Sequence, residues 1–212
     1  MRGLLWAVLL ALTPIAHAVA QVSGGPLIVL IGPPLSGKTT QISLLEKTYG
    51  IPTIATDDLI HAHASDLQPF VMPGQNLSDM RYDPSISRYL RSKLDSMDLS
   101  KGIALDGYPA TVVQSQDLAK IIADYGFKPV VLMQLEISDD AVRKRAAKAG
   151  RSMDAPAELE QRLKEYHRQF DAIGAYFPNA NIQKVDATKP VEKVSKEVSA
   201  LLKGAGIQPK GH

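Results

Sequence analysis

The 212-residue chain contains no cysteine, which excludes disulfides and thiolate zinc sites and leaves the redox compartment open. No run of like charges exceeds a few residues, and the formal charge is only +2. Neither a nucleic-acid-binding stripe nor a polybasic membrane anchor is therefore expected. The chain also lacks an apolar run long enough to span a bilayer, an internal repeat and a low-complexity linker. What is left, at 45% hydrophobic and 22% charged residues, is the composition of an ordinary globular protein, at a length that suits one domain.

The N-terminus has a character of its own. Arg2 supplies one positive charge, and Leu4 to Leu12, "LLWAVLLAL", is unbroken apolar sequence. "TPIAHAVAQ" follows, with small residues spaced for cleavage after Ala18 or Ala20. Charge, short apolar core and A-x-A site together read as a secretory signal peptide over residues 1–20. Export to a periplasm or the exterior is expected, with no stable membrane anchor after cleavage. The mature chain, residues 21–212, is then a single domain.

Along that domain, strand patterns alternate with helix patterns. "PLIVLIG" (Pro26–Gly32) is a continuous apolar run ending in a glycine loop, the mark of a buried parallel strand. A helix is expected from Gly37, with Gly50 as its stop signal. "IPTIAT" reads as a second strand, followed by a helix from about Asp57. Ser65 to Tyr82, with two prolines and a glycine, has no clear period and reads as loop or a small mobile insertion. Ile86, Leu90 and Leu94 share one face of a helix over Pro84–Met97. "GIALDG" is a third strand ending on Asp106, and "VVQSQDLAKIIADYG" a helix stopping at Gly126. "KPVVLMQLEI" is a fourth strand, and "SDDAVRKRAAKAG" a helix opened by a serine and two acids. A long helix over Ala155–Tyr176, a fifth strand in "NIQKVDA" and a closing helix complete the order, with the tail "AGIQPKGH" frayed. The expected fold is α/β, a parallel five-stranded sheet with helices on both faces. Its ligands should bind at the carboxyl ends of the strands.

"GPPLSGKTT" (Gly32, Pro33, Pro34, Leu35, Ser36, Gly37, Lys38, Thr39, Thr40) lies on that edge. It fits G-x-x-x-x-G-K-[ST] between a strand and a helix. Such a loop turns backbone amides inward around an anion, aided by the positive end of the following helix. Lys38 is placed to reach the outer phosphates and Thr39 to put a hydroxyl on Mg²⁺. Asp106, at the end of the third strand, suits the carboxylate that holds magnesium water. ATP and Mg²⁺ are the ligands this pattern calls for.

With these residues in place, the chain from about Leu27 to Leu202 resembles the adenylate kinases and, more broadly, the nucleoside monophosphate kinases. "YGIPTIATDDLI" is similar to the family's entry into its monophosphate-binding region, usually T-G-D-x-L-R. "LDGYPAT" is similar to D-G-[FY]-P-R-T, and "GRSMDAPAELEQRL" to a short lid, G-R-x-D-D, followed by a second arginine. The resemblance implies a monomer that moves the terminal phosphoryl group of ATP to a nucleoside monophosphate. It also implies a monophosphate-binding insertion at about 57–97 and a lid at about 146–156. On the donor side, Lys38 cradles the phosphates, Arg145 lies against the adenine, and Arg151 and Arg162 clamp the migrating group. Thr56, Asp58, His61, Gly107 and Gln114 fall at the acceptor, Gln114 where a glutamine reads the adenine. Arg143 and Lys144 are left as solvated surface.

The departures are as informative. His61 and Ala110 stand where the family has the two arginines that grip the acceptor phosphate. Leu35 stands where a glycine is usual, and Met153 replaces one acid of the lid pair, leaving Asp154. Losing two bidentate arginines should weaken acceptor binding by orders of magnitude. His61 and His63, or Arg81, Arg88 or Arg91 from the insertion, offer substitutes; the plainer reading, which the sequence slightly favours, is a decayed acceptor site. The alternative to a kinase is thus an exported nucleotide-binding module or ATPase that has lost monophosphate kinase turnover.

Overall fold

A computed structural model describes residues 24–75, 77–150, 155–176 and 182–210, without the side chains of residues 78, 168, 169 and 171–176. The expected signal peptide and the lid residues Arg151, Met153 and Asp154 lie outside the described residues. Among the described residues, no helix is long and apolar enough to cross a membrane.

The first strand, β1 (Leu27–Ile31), is buried along its whole length. Its side chains alternate between two cores, as a strand with period two must when both faces are covered. Leu27, Val29 and Ile31 join one core with Ile86, Leu90, Leu94 and Leu118. Ile28 and Leu30 join the other with Ile42, Leu45, Val194 and Val198. β1 is flanked in parallel by β3 (Ile103–Asp106), Leu27 beside Ile103, and by β4 (Val130–Glu136), Leu27 beside Val130. β2 (Thr53–Ala55) and β5 (Gln183–Asp186) form the edges, giving the order β2-β3-β1-β4-β5, parallel throughout.

The helices cover both faces. α1 (Lys38–Tyr49) and α8 (Val191–Gly204) pack on one side, α4 (Ser85–Asp95) and α5 (Val112–Tyr125) on the other. Ile86, Leu90 and Leu94 are fully buried along one face of α4, as their spacing predicts. α6 (Asp139–Ala149) begins as its sequence requires: the Ser138 hydroxyl accepts from the Ala141 amide at 3.3 Å, with Asp139 and Asp140 in the first turn. α6 and α7 (Pro156–Tyr176) share a small core of Val142, Ala146, Leu159 and Leu163.

Two expectations are corrected. The segment 65–82 is not plain loop: after α2 (Thr56–Ala62) come a one-turn α3 (Ala64–Leu67) and 3-10 turns at Gln68–Phe70 and Leu77–Tyr82. Buried Leu67 and Met80 pin it to the core, although its pieces are too short to show a period. Nor is the C-terminal tail frayed as far as Lys210, the last described residue. Ile207 is buried, and the Lys210 amide donates to the Thr48 carbonyl at 2.9 Å.

Candidate active site

β1 and β3 lie side by side, so their carboxyl ends deliver the loop 32–37, Asp106 and Gly107 to one edge of the sheet, with Thr56 arriving from the end of β2. The loop's shape depends on its small residues. A Cβ on Gly32 would sit 2.8 Å from Ser36 Oγ and 3.0 Å from the Leu135 carbonyl, so nothing larger fits. Gly37 takes φ 99° to turn the chain into α1, a left-handed geometry glycine adopts freely. The first-turn amides of α1 are thereby presented to the loop's concavity. Ser36 Oγ is buried and has no hydrogen-bond partner among the described residues.

Lys38 folds back over this loop, donating from Nζ to the carbonyls of Gly32 at 2.6 Å and Pro33 at 2.9 Å. Burial pushes its ammonium down to about 8. Asp106 opposes that shift, while the cations of Arg81 and Arg162 add to it. Below that pH, Lys38 is a charged donor enclosed at low dielectric, where its field on a phosphate is strong. Beside it the Thr39 hydroxyl donates to Asp106 Oδ2 at 2.7 Å, and the Thr56 hydroxyl to the Asp106 carbonyl at 3.2 Å. Thr39 and Asp106 thus present a hydroxyl and a carboxylate oxygen together, the hard oxygen ligands that Mg²⁺ takes alongside phosphates and water. Among the described residues, no group of three or more His, Asp or Glu side chains could cage a metal.

Two cavities meet at Lys38. One, of about 400 Å³ and open to solvent, lies over the loop and includes Thr39, Thr56, Asp106 and Gly107. The other, of about 110 Å³, is walled by Ile31, Tyr82, Pro109, Ala110, Tyr166 and Phe170. Pro34, Lys38, Arg81, Gly107 and Arg162 line both. The structure therefore brings together Lys38, Thr39, Asp106, Thr56, Gly107 and Arg162 as their sequence positions predict. Arg145 bridges two carbonyls, donating to Leu35 at 2.9 Å and to Ala187. Arg143, expected to be mere solvated surface, is exposed but joins α6 to α7 through Glu160 at 2.7 Å.

The expected acceptor residues fare differently. Asp58 and His61 are exposed on α2 and line neither cavity. His63 stacks flat on Tyr89, ring centroids 3.8 Å apart. Gln114 is fully buried, and its amide is spent on main chain. Oε1 accepts from the Ala110 amide at 2.7 Å, while Nε2 donates to the carbonyls of Arg81 at 2.8 Å and Asp83 at 3.2 Å. Of the three insertion arginines, Arg88 lies over the Tyr89 ring and Arg91 pairs with Asp124 at 2.8 Å. Arg81 alone of the three lines the cleft, paired with Asp57 at 2.8 Å. Sequence reasoning did not single out Asp57 or Tyr82. The signal for Asp57 was available, since it stands at the glycine of T-G-D.

Comparison with known proteins bears on the same stretch. The family model described as adenylate kinase matches residues 30–182. The curated adenylate kinases of Brucella anthropi and Brucella ovis are each 30% identical to this chain over 189 residues, covering 82% of it and 97% of the relative.

Proposed function

Because this chain belongs to the adenylate kinase family, we propose that it carries the terminal phosphoryl group of ATP to a nucleoside monophosphate seated in the chamber beside the phosphate loop, at an acceptor site that differs from its relatives'. Family membership makes it a nucleoside monophosphate kinase-like phosphotransferase; the altered acceptor site is our reading. The observation that carries it is the convergence of Lys38, Arg162 and the Thr39–Asp106 pair on a loop cavity that shares Lys38 and Arg162 with a second chamber.

Phosphoryl transfer asks for alignment and charge neutralisation more than for a protein base. The α1 amides and Lys38 hold the donor phosphates, and Lys38 exchanges its contacts to the Gly32 and Pro33 carbonyls for phosphate oxygens. Arg162 faces both cavities, a position from which a guanidinium can follow the group as it crosses. Tyr166, Phe170 and Pro109 exclude water on the acceptor side, which protects the reaction from hydrolysis. Mg²⁺, held by Thr39 and Asp106, supplies further neutralisation of the phosphates when bound. Arg151 belongs to this clamp by its place in the lid motif.

A second reading, nucleotide binding without turnover, is favoured by one observation: both Gln114 Nε2 hydrogens and one lone pair of Oε1 are already engaged by main chain. The purified mature chain, given Mg²⁺ and ATP, separates the two. ADP formation that requires a nucleoside monophosphate and vanishes in Lys38→Ala supports the kinase. ATP binding with no acceptor-dependent ADP supports the binding module. We propose further that residues 1–20 direct export, on the strength of Leu4–Leu12 and the small residues before Gln21. A mature N-terminus at Val19 or Gln21, read by mass spectrometry from protein secreted by an expressing cell, is the expected result; an intact Met1 refutes it.

A further inference from the structure

At the two positions where the family motifs lead one to expect arginines on the acceptor phosphate stand His61, which lies outside the cleft, and Ala110, which has no charge. A cation nevertheless faces the chamber from another element. Arg81, in the 3-10 turn Leu77–Tyr82, lines both cavities together with Lys38 and Arg162. We propose that Arg81 has taken over the grip on the acceptor phosphate, with Asp57 holding its guanidinium until the phosphate arrives, and that the acceptor is a nucleoside monophosphate selected by its phosphate rather than by its base. The proposal rests on the kinase reading above.

Three observations carry it. First, Arg81's ion pair with Asp57 spans 2.8 Å, and the Asp57 side chain is more than half exposed. The solvated carboxylate is the weaker, single-oxygen partner of a half-buried guanidinium, so a phosphate dianion, a stronger bidentate partner, can take its place. Second, the Arg81 main chain is fixed. Its carbonyl accepts from Gln114 Nε2 at 2.8 Å, and the same buried amide accepts from the Ala110 amide at 2.7 Å. One glutamine therefore ties the loop that lost its arginine to the turn that supplies one. Third, the charges lining the chamber are Lys38, Arg81 and Arg162 against the single carboxylate of Glu165, an excess that suits a dianion.

The preference for phosphate over base follows from the same hydrogen bonds. With both Nε2 hydrogens of Gln114 engaged by Arg81 and Asp83 and one lone pair of Oε1 by Ala110, no amide donor is left there to meet an adenine ring nitrogen. The surrounding walls, Tyr82, Pro109, Tyr166 and Phe170, offer flat apolar faces that any base can stack on. Discrimination between bases needs buried polar groups that the wrong base leaves unpaired.

The test measures acceptor KM for AMP, CMP, GMP and UMP with wild type, Arg81→Met, Arg81→Lys, Asp57→Asn and Arg91→Met. Loss of a charge-assisted contact in Arg81→Met should raise acceptor KM about ten- to hundredfold, equally for each base used, and by more than any change in the KM for ATP. Arg81→Lys should recover part of that loss, Asp57→Asn should lower acceptor KM, and Arg91→Met should change nothing. An acceptor KM indifferent to Arg81, or a loss confined to one base, overturns the proposal while leaving the kinase standing. Calorimetric titration with AMP and with adenosine decides the matter independently of turnover. Wild type should bind the monophosphate more tightly than the nucleoside, and Arg81→Met should erase that difference. If no monophosphate elicits ADP, the kinase reading fails. In that case a monophosphate preference that persists in Arg81→Met sinks the Arg81 assignment too.

Discussion

Replacing Lys38 with methionine isolates a conflict between binding and stability inside the phosphate loop. Burial lowers the Lys38 ammonium from the ordinary 10.5 to about 8. At about 1.36 kcal/mol per pH unit, the charged form is disfavoured in the folded protein by on the order of 3 kcal/mol. Because the folded value is the lower one, the unfolded chain keeps a proton between pH 8 and 10.5 that the folded protein has released. Stability of the ligand-free protein therefore rises with pH across that window, and is independent of Lys38 on either side of it. Tyr108 and Tyr125, both pushed up to about 12 chiefly by burial, act oppositely above pH 10, which confines the clean rise to pH 8–10.

ATP affinity should move the other way. Triphosphate beside Lys38 favours its charged form, so above pH 8 binding must take up a proton; at pH 9 affinity should stand about tenfold below its neutral plateau. In Lys38→Met the buried charge is gone, but the Gly32 and Pro33 carbonyls lose donors at about 0.5–1.5 kcal/mol each. The variant should thus equal wild type at pH 7 or exceed it by up to about 2 kcal/mol, while losing nucleotide binding. Urea unfolding at pH 7 and 9.5, with ATP calorimetry over the same range, measures both arms. ATP affinity flat from pH 7 to 9.5, or a stability rise that persists in Lys38→Met, would refute the reasoning.

Other perturbations probe different links. Asp106→Asn keeps the shape of the Thr39 contact but removes the charge, so turnover should fall and half-saturation should need more Mg²⁺; an unchanged magnesium titration argues against the Thr39–Asp106 assignment. Ala110→Arg with His61→Arg should raise AMP turnover, and because only residue 110 lines the chamber, Ala110→Arg alone should supply most of the gain. If neither variant gains, the acceptor site has changed beyond those two contacts. Leu90→Ala empties a fully buried position between α4 and the sheet and should cost about 2–5 kcal/mol in urea unfolding; a loss near zero would mean the α4 face is not core.

The legible parts of this molecule are those whose causes are local in the chain. The apolar run of β1, the glycines of the loop, the Ser138 cap and the Ile86–Leu90–Leu94 stripe each carry their signal within a dozen residues. Segment 65–82 was opaque because turns of three to six residues cannot display a helical period, and its prolines mark breaks without saying what lies between them. The acceptor side was opaque for a different reason. Arg81, Arg88 and Arg91 are equivalent in sequence. The Tyr89 ring takes one, Asp124 another, and the cleft gets the third. Gln114 shows the limit of motif transfer. Its position matches the family, yet packing has turned its amide toward three main-chain groups.

Leu35 shows how the donor side is fastened. It holds φ 57°, a left-handed geometry that costs a branched residue about 1–2 kcal/mol and a glycine nothing. A leucine there needs compensation, and two contacts supply it. Its side chain packs against the Val142, Ala146, Leu159 and Leu163 core between α6 and α7, and its carbonyl accepts from Arg145 of α6 at 2.9 Å. The loop is thereby fastened by side chain and main chain to α6 and, through their shared core, to α7, which carries Arg162. Loop, Lys38 and Arg162 are thus joined through packed contacts. On the acceptor side the main chain is held as firmly, by buried Leu67 and Met80 and by the Gln114 amide, but the Arg81 guanidinium is paired with the solvated Asp57 carboxylate. A surface ion pair can be exchanged at little cost, whereas a packed core cannot. Change in what the protein phosphorylates is therefore mechanically easier in this fold than change in what it uses as donor.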